Sequence, residues 1–90
     1  MNNVQPIKAA SSAASLLQFD PTATIIRMPD LEAMTGLARP TVYKRLKDDP
    51  TFPRAVPLSN SRARGAPVGW VLSEVQEWVR KRIALRSEVA

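Results

Sequence analysis

The spacing of apolar residues between positions 28 and 47 predicts two short helices joined by a glycine. Leu31 and Met34 lie three residues apart, so they share one face of a first helix that we expect from about residue 29 to residue 35. Gly36 supplies the left-handed residue with which many helices end. Two helices separated by so short a turn have the layout of a helix-turn-helix.

The second helix, expected over residues 39–47, has a narrow apolar face. Val42 and Leu46 lie four residues apart and face the core, so polar and basic side chains occupy the opposite side. The positions that point outward are Pro40, Lys44 and Lys47, with Thr41 and Tyr43 on the flanks. A helix with this distribution is a candidate reader of DNA.

A two-stranded ribbon is predicted after the second helix. We expect residues 52–58 and 68–72 to form its strands, and the two prolines of the first strand confine that strand to a sheet edge. The connecting tip, residues 59–67, is polar and carries Arg62 and Arg64. Such a ribbon is called a wing when it follows a helix-turn-helix.

The last helix is expected to start at Ser73, which has capping-box spacing with Gln76. Trp70 on the second strand and Trp78 on this helix are expected in the core rather than stacked on nucleic-acid bases. The stem of Arg82 is expected to cover the edge of the apolar stripe. That stripe, predicted from helical spacing, consists of Val75, Trp78, Val79 and Ile83.

These elements define one domain over residues 24–88, mainly α with a small β-hairpin (α+β). The architecture is a winged helix-turn-helix with three helices and a two-stranded wing. Residues 1–23 hold little core material and are interpreted as a disordered tail, with Leu16–Leu17 as a weak docking point. The β-branched pair Ile25–Ile26 is expected either to lie extended against the body or to pair with a later strand.

Positive charge is concentrated in one part of the chain. The sequence has 13 basic and 8 acidic residues, for a net charge of +5. Residues 39–64 contain seven of the basic residues and two of the acidic ones, so the whole surplus of five lies there. This pattern suggests a polyanionic partner, nucleic acid first. A solvated basic surface that favours solubility is the alternative.

The residue types that the sequence lacks restrict its chemistry. Without cysteine and histidine there is no disulfide, no thiolate metal site and no histidine general base. Three glycines are too few for a phosphate-binding loop, so we expect neither catalysis nor a cofactor or small-molecule ligand. No apolar run approaches the roughly 20 residues that span a bilayer, and no secretory signal is evident, so a cytoplasmic location is expected.

The order of these motifs resembles that of the AlpA family of prophage regulators. It runs TGLARPTVYKRLK, FPRAVPL, the basic tip and GWVLSEVQEWVRKRI, and it covers about residues 26–86. That family is related to small phage excisionases and to MerR-type winged-helix domains. The resemblance implies a small DNA-binding transcriptional regulator of prophage or mobile-element genes, associated with the bacterial nucleoid.

The concentration of basic residues and the family resemblance together indicate which residues bind DNA. The second helix is expected in the major groove and the wing on the flanking backbone or minor groove. The resemblance implies that the residues at the family's recognition-helix positions are Arg39, Thr41, Tyr43 and Lys44. The full set of candidates is Arg39, Pro40, Thr41, Tyr43, Lys44, Arg45, Lys47, Arg62 and Arg64.

Different contacts are expected from different members of this set. Arg39 and Lys44 are candidates for guanine edges, and Thr41 for a thymine methyl or a phosphate. Arg45 and Lys47 are expected on the DNA backbone, while Tyr43 is as suited to the edge of the core as to a phosphate. The family usually has serine as the cap before this helix, and Ala38 stands there instead, which cannot accept the first-turn N–H bonds.

Two other functions fit the same sequence. An excisionase-like architectural protein would use the same fold and contacts to bend DNA in site-specific recombination. A protein-interaction module of the antirepressor kind would bind an acidic partner and no duplex DNA. For either DNA-binding function, a single small domain suggests a homo-oligomer or cooperative assembly on DNA.

Overall fold

The computed structural model describes residues 19–89, so most of the predicted tail, including Leu16–Leu17, lies outside the described residues. The described chain consists of a 3-10 turn (Pro21–Ala23), strand β1 (Ile25–Ile26), helix α1 (Met28–Thr35), helix α2 (Arg39–Asp48), strand β2 (Val56–Pro57), strand β3 (Val68–Val71) and helix α3 (Leu72–Val89). The predicted fold class is confirmed. It is mainly α with a small antiparallel sheet, arranged as a winged helix-turn-helix.

The turn between α1 and α2 forms as the sequence predicts. Gly36 ends α1 with a φ of 76°, in the left-handed region, and its N–H donates to the Glu32 carbonyl at 2.8 Å. Leu31 is completely buried, and Met34 packs against the same core. Ala38 precedes α2 without a side-chain cap, as its methyl group requires.

The sheet has three strands, because β1 joins the two predicted strands of the wing. Strand β3 lies in the middle, with β1 and β2 antiparallel on either side. Ile25–Ile26 is therefore paired, with Ile25 opposite Val71 and Ile26 opposite Trp70. Strand β2 is at an edge, which confirms the position inferred from its prolines.

The first strand of the wing was predicted too long, because only Val56–Pro57 of residues 52–58 pairs with β3. Phe52 and Pro53 are buried in the core instead. The Phe52 ring meets the Trp78 ring edge-on, with 5.0 Å between centroids and 76° between planes. Side-chain packing of this kind, rather than ladder hydrogen bonds, holds the segment after α2.

Seven apolar residues drawn from nearly every element make up the buried core. Both tryptophans belong to it, as predicted, with Trp70 1% and Trp78 8% exposed. Their indole N–H groups are buried without an acceptor in residues 19–89. The two rings therefore stabilise the core by apolar packing and not by hydrogen bonds. The core residues are Ile26, Leu31, Val42, Phe52, Trp70, Val75 and Trp78.

Helix α3 differs from its prediction at both ends. It begins at Leu72, whose N–H donates to the Thr24 carbonyl at 2.8 Å, so Ser73 lies inside the first turn rather than before it. Ile83 belongs to the predicted apolar stripe, but its side chain is 52% exposed. The helix has 18 residues and is about 27 Å long, and Trp78 is the last buried side chain in residues 72–88.

The edge of the stripe on α3 is covered as expected. The guanidinium carbon of Arg82 lies 5.9 Å from the centroid of the Trp78 ring, within the range of a cation–π contact. Val79 is partly buried and packs against the core cluster. The residues of α3 that pack against the core are therefore Leu72, Val75, Trp78 and Val79.

Gly69 is the point of closest approach between β1 and β3. A Cβ at this position would collide with the Ile25 side chain and lie 2.8 Å from the Ile26 carbonyl oxygen. The second contact is with backbone, which cannot move without breaking the strand pairing. The glycine in this strand therefore allows close packing of the sheet.

We predict that Gly69→Ala destabilises the fold by about 1–3 kcal/mol, the usual cost of overpacking. Urea unfolding followed by tryptophan fluorescence measures the change. Gly65→Asn is the control, because Gly65 has a φ of 85° with open space around it, and asparagine tolerates that region. Equal stabilities of Gly69→Ala and the wild type would show that the sheet has room for a methyl group.

Candidate nucleic-acid interface

Helix α2 presents most of the predicted DNA-binding residues on its outer side. Completely buried Val42 and half-buried Leu46 fix the opposite face against the core, as the periodicity predicted. Thr41 and Arg45 are half-buried on the flanks. The exposed members are Arg39, Pro40, Tyr43, Lys44 and Lys47.

The Lys44 side chain has an exposed partner. Its ammonium nitrogen lies 3.9 Å from a carboxylate oxygen of Asp48, and the two side chains are 69% and 53% exposed. Such pairs contribute about 0–1 kcal/mol and are screened by salt. Lys44 can therefore exchange this carboxylate for another anion or for a base edge at little cost.

Tyr43 lies on the surface and not at the core edge. Its side chain is 49% exposed, and its hydroxyl accepts a hydrogen bond of 3.4 Å from Nη2 of Arg39. The Arg39 guanidinium carbon is also 5.7 Å from the centroid of the Tyr43 ring. The two side chains thus form one exposed unit at the start of α2.

Negative charge lies at the other end of α2, at Asp48 and Asp49. The Asp49 carboxylate accepts hydrogen bonds from the Thr51 hydroxyl at 2.6 Å and the Thr51 N–H at 2.9 Å. These two bonds hold the pKa of Asp49 below its ordinary value, so the group stays ionised at neutral pH. The first turn of α2 has no acidic residue. An anionic ligand is therefore favoured at the N-terminal half of the helix.

The tip of the wing is shaped by short-range hydrogen bonds. The Ser59 and Ser61 hydroxyls accept from the N–H groups two residues later, at 3.2 and 3.1 Å. Ala66 N–H then closes a turn onto the Ala63 carbonyl at 3.1 Å. Arg62 and Arg64 extend from this loop, exposed and without a hydrogen bond or ion pair to any residue in 19–89.

The end of the predicted tip and the first residue of β3 adjoin α2, and these residues, 65–68, are called the base of the wing. A groove of about 260 Å³ has Arg39 and Tyr43 on one side and Gly65–Val68 on the other. Arg27 also lines this groove. No motif indicated a role for Arg27, which stands between a predicted extended segment and a predicted helix.

Arg54 belongs to the basic segment but does not belong to the interface. Its guanidinium group donates three hydrogen bonds to main-chain carbonyls: Nη1 to Leu46 at 2.9 Å, Nη2 to Asp49 at 3.0 Å and Nε to Phe52 at 3.1 Å. It thereby caps the C-terminal end of α2. One of the seven basic residues counted in residues 39–64 thus stabilises the fold through hydrogen bonds to the main chain.

Comparison with known proteins identifies the family. The model of the family described as "Prophage CP4-57 regulatory protein (AlpA)" matches residues 24–83, from β1 through most of α3. The chain belongs to the AlpA family. The AlpA-family match includes both helices of the helix-turn-helix and the whole wing, and the resemblance inferred from the sequence is confirmed.

One curated relative of this AlpA-family chain carries a functional name. It is the "DNA-binding transcriptional activator AlpA" of Escherichia coli (strain K12), 35% identical over 66 residues. The matched stretch covers 68% of this chain and 87% of that protein. No solved structure gives a significant match. None of the helices within residues 19–89 is long and apolar enough to cross a membrane.

The role of Arg54 leads to a stability prediction. Arg54→Lys should lower the free energy of unfolding by about 1–3 kcal/mol, because lysine cannot present the planar fork that serves three carbonyls. Chemical denaturation provides the measurement. Arg80→Lys is the matched control, since Arg80 is exposed and its only ion pair in the described chain is with Glu77, so its effect should stay within about 0.5 kcal/mol. Equal effects of the two substitutions would show that the cap contributes nothing.

Proposed function

We propose that this chain is a sequence-specific regulator of transcription that binds double-stranded DNA and acts on prophage or mobile-element genes. Membership of the AlpA family and the name of the Escherichia coli relative support the general function. The observation that carries the mode of binding is the orientation of α2. Val42 and Leu46 hold it on the core while its cations face solvent beside a wing with two exposed arginines.

Helix α2 is the proposed reader of the major groove. An α-helix with side chains is about 10–12 Å across, and the major groove is about 12 Å wide, so one helix fits it. The N-terminal half should point toward the bases, because the acidic residues are at the other end. In this orientation Thr41 and Lys44 are the candidates for base edges, and Arg45 and Lys47 for phosphates.

The wing is proposed to bind the flanking backbone or minor groove through Arg62 and Arg64. Both arginines lie in a loop whose main chain is held by its own serines, so the side chains remain available. Arginine is favoured in minor grooves because of their negative potential. The small footprint of one domain suggests that two or more copies bind together on repeated or inverted sites.

Selection of bound duplexes from a random pool tests this function. We expect a sharply defined motif, with an affinity that falls steeply with salt because each neutralised phosphate releases counterions. A loose motif accompanied by DNA bending would favour an architectural, excisionase-like protein. Absence of enrichment for any duplex would falsify both DNA-binding functions and leave an antirepressor-like module.

The proposed reading of bases by α2 leads to a second prediction. On the selected duplex, Lys44→Ala should reduce affinity by about ten- to a hundredfold and relax the preference at one or two base pairs, since a good base contact discriminates by about 1–3 kcal/mol. Lys81→Ala, which removes an exposed lysine from α3, is the control and should leave binding within about twofold. Competition binding against single-position variants of the duplex provides the readout, and identical base preferences of Lys44→Ala and the wild type would contradict the assignment.

A further inference from the structure

The groove between the start of α1, the start of α2 and the base of the wing contains an unexplained group of donors. Arg27, Arg39 and Tyr43 line it together with the apolar side chains of Met28, Pro67 and Trp70. Within residues 19–89, no carboxylate lines it. A concave wall with two cations and no acidic residue concentrates positive potential, because little solvent separates the charges from a ligand.

Arg27 is held in place at this groove by the wing. Its Nε donates a hydrogen bond of 2.9 Å to the main-chain carbonyl of Val68, the first residue of β3. The two Nη groups form no hydrogen bond or ion pair to any residue in 19–89. A guanidinium group fixed through one nitrogen loses less conformational freedom when the other nitrogens bind a ligand.

Arg39 is similarly oriented, through Tyr43. The hydrogen bond of 3.4 Å and the distance of 5.7 Å to the ring centroid hold its guanidinium group over the tyrosine. Because the Tyr43 oxygen accepts from Arg39, its own O–H remains available as a donor. The groove therefore offers two planar cations and a phenol, all of them donors.

We infer that this groove binds one phosphate of the DNA backbone, with Arg27 and Arg39 as its cationic ligands and Tyr43 as an additional donor. This inference rests on the proposed function. A phosphate matches the site because its oxygens only accept hydrogen bonds and because guanidinium groups bind it in bidentate geometry.

The position of the groove indicates which part of the backbone it binds. The major and minor grooves of a duplex are separated by one sugar-phosphate strand. A protein with α2 in the major groove and the wing at the minor groove must let that strand pass between the two elements. Arg39 and Tyr43 on α2 and Arg27 beside the wing line the groove between these two elements, so the phosphate they bind belongs to the strand that divides the grooves.

This site changes the role of Arg39 relative to the sequence-based expectation. An arginine bound to Tyr43 and to a phosphate cannot at the same time read the O6 and N7 atoms of guanine. Base preference then comes from Thr41 and Lys44, further along α2. Arg27 and Arg39 fix the register of the protein on the duplex and contribute equally on every sequence.

The test compares Arg27→Gln, Arg39→Gln and the control Arg80→Gln on the selected duplex and on a random duplex, over a range of salt concentrations. Arg27→Gln and Arg39→Gln should each weaken binding about tenfold on both duplexes and make the salt dependence shallower, by at most about one unit of log K per log salt, because both arginines contact the same phosphate. Arg80→Gln should change neither. Unchanged affinity for Arg27→Gln, or a loss confined to the selected duplex, would overturn the site.

A methylphosphonate scan removes the ambiguity of a variant that folds poorly. Replacing one phosphate at a time by the neutral methylphosphonate should identify a position that weakens wild-type binding about tenfold. The same replacement should weaken binding of Arg27→Gln less than it weakens binding of the wild type, because part of the contact with that phosphate is already lost. Full additivity at every position would show that Arg27 contacts no phosphate.

Failure of the site and failure of the proposed function give different results. If the wild type binds duplex DNA and the scan is additive, only the phosphate site is wrong. If the wild type binds no duplex, the proposed function is wrong. Titration with inorganic phosphate then tests whether the groove binds an anion at all. Shifts of the Arg27 and Arg39 side-chain NMR signals in the wild type, lost in Arg27→Gln, support an anion site, and unshifted signals overturn it.

Discussion

The contact between Phe52 and Trp78 holds the parts of this domain together. Phe52 comes four residues after α2, and Trp78 is in the middle of α3, so their edge-on packing fixes the end of one helix against the other. Removing a buried aromatic ring from a core usually costs about 3–5 kcal/mol. A domain of this size has only about 5–15 kcal/mol of net stability, so the orientation of α2 depends on this contact to a large degree.

That dependence explains how α2 can expose so many cations. Only Val42 and Leu46 attach the helix itself to the core, and its hydrogen-bonded start has no side-chain cap. The chain after the helix adds further attachment to the core, through the buried Phe52 and the three hydrogen bonds of Arg54 to main-chain carbonyls. Val42 and Leu46 thus fix one face of the helix, Phe52 and Arg54 fix its C-terminal end, and the outer side of its N-terminal half remains available to a ligand.

A count of charges says little about the role of each basic residue, as Arg27, Arg54 and the arginines of the wing show. Arg54 lies within the basic segment, yet its guanidinium group serves the fold. Arg27 lies outside that segment, yet it lines the same groove as Arg39. The total charge of residues 39–64 indicates an anionic partner, whereas the contacts of each side chain determine which charges remain for it.

The sequence by itself determined the features that depend on neighbouring residues. Helical spacing predicted the buried faces of α1 and α2, the glycine at position 36 marked the end of α1, and prolines restricted β2 to an edge. These predictions were correct because helix periodicity, a left-handed backbone and the missing N–H group of proline each depend only on residues a few positions apart. The outward face of α2, and with it most of the candidate interface, followed from the same local rules.

Only the tertiary structure decided the features that join distant parts of the chain. The β-branched pair Ile25–Ile26 left two arrangements open, and only the fold shows that it pairs with β3. The exposure of Ile83 and the hydrogen bond between Arg27 and a carbonyl 41 residues away have no counterpart in the local pattern. A two-residue strand has no periodicity to detect, and a helical stripe does not reveal where its packing partner ends. Such features depend on which surfaces meet in the folded chain, and local spacing does not encode that information.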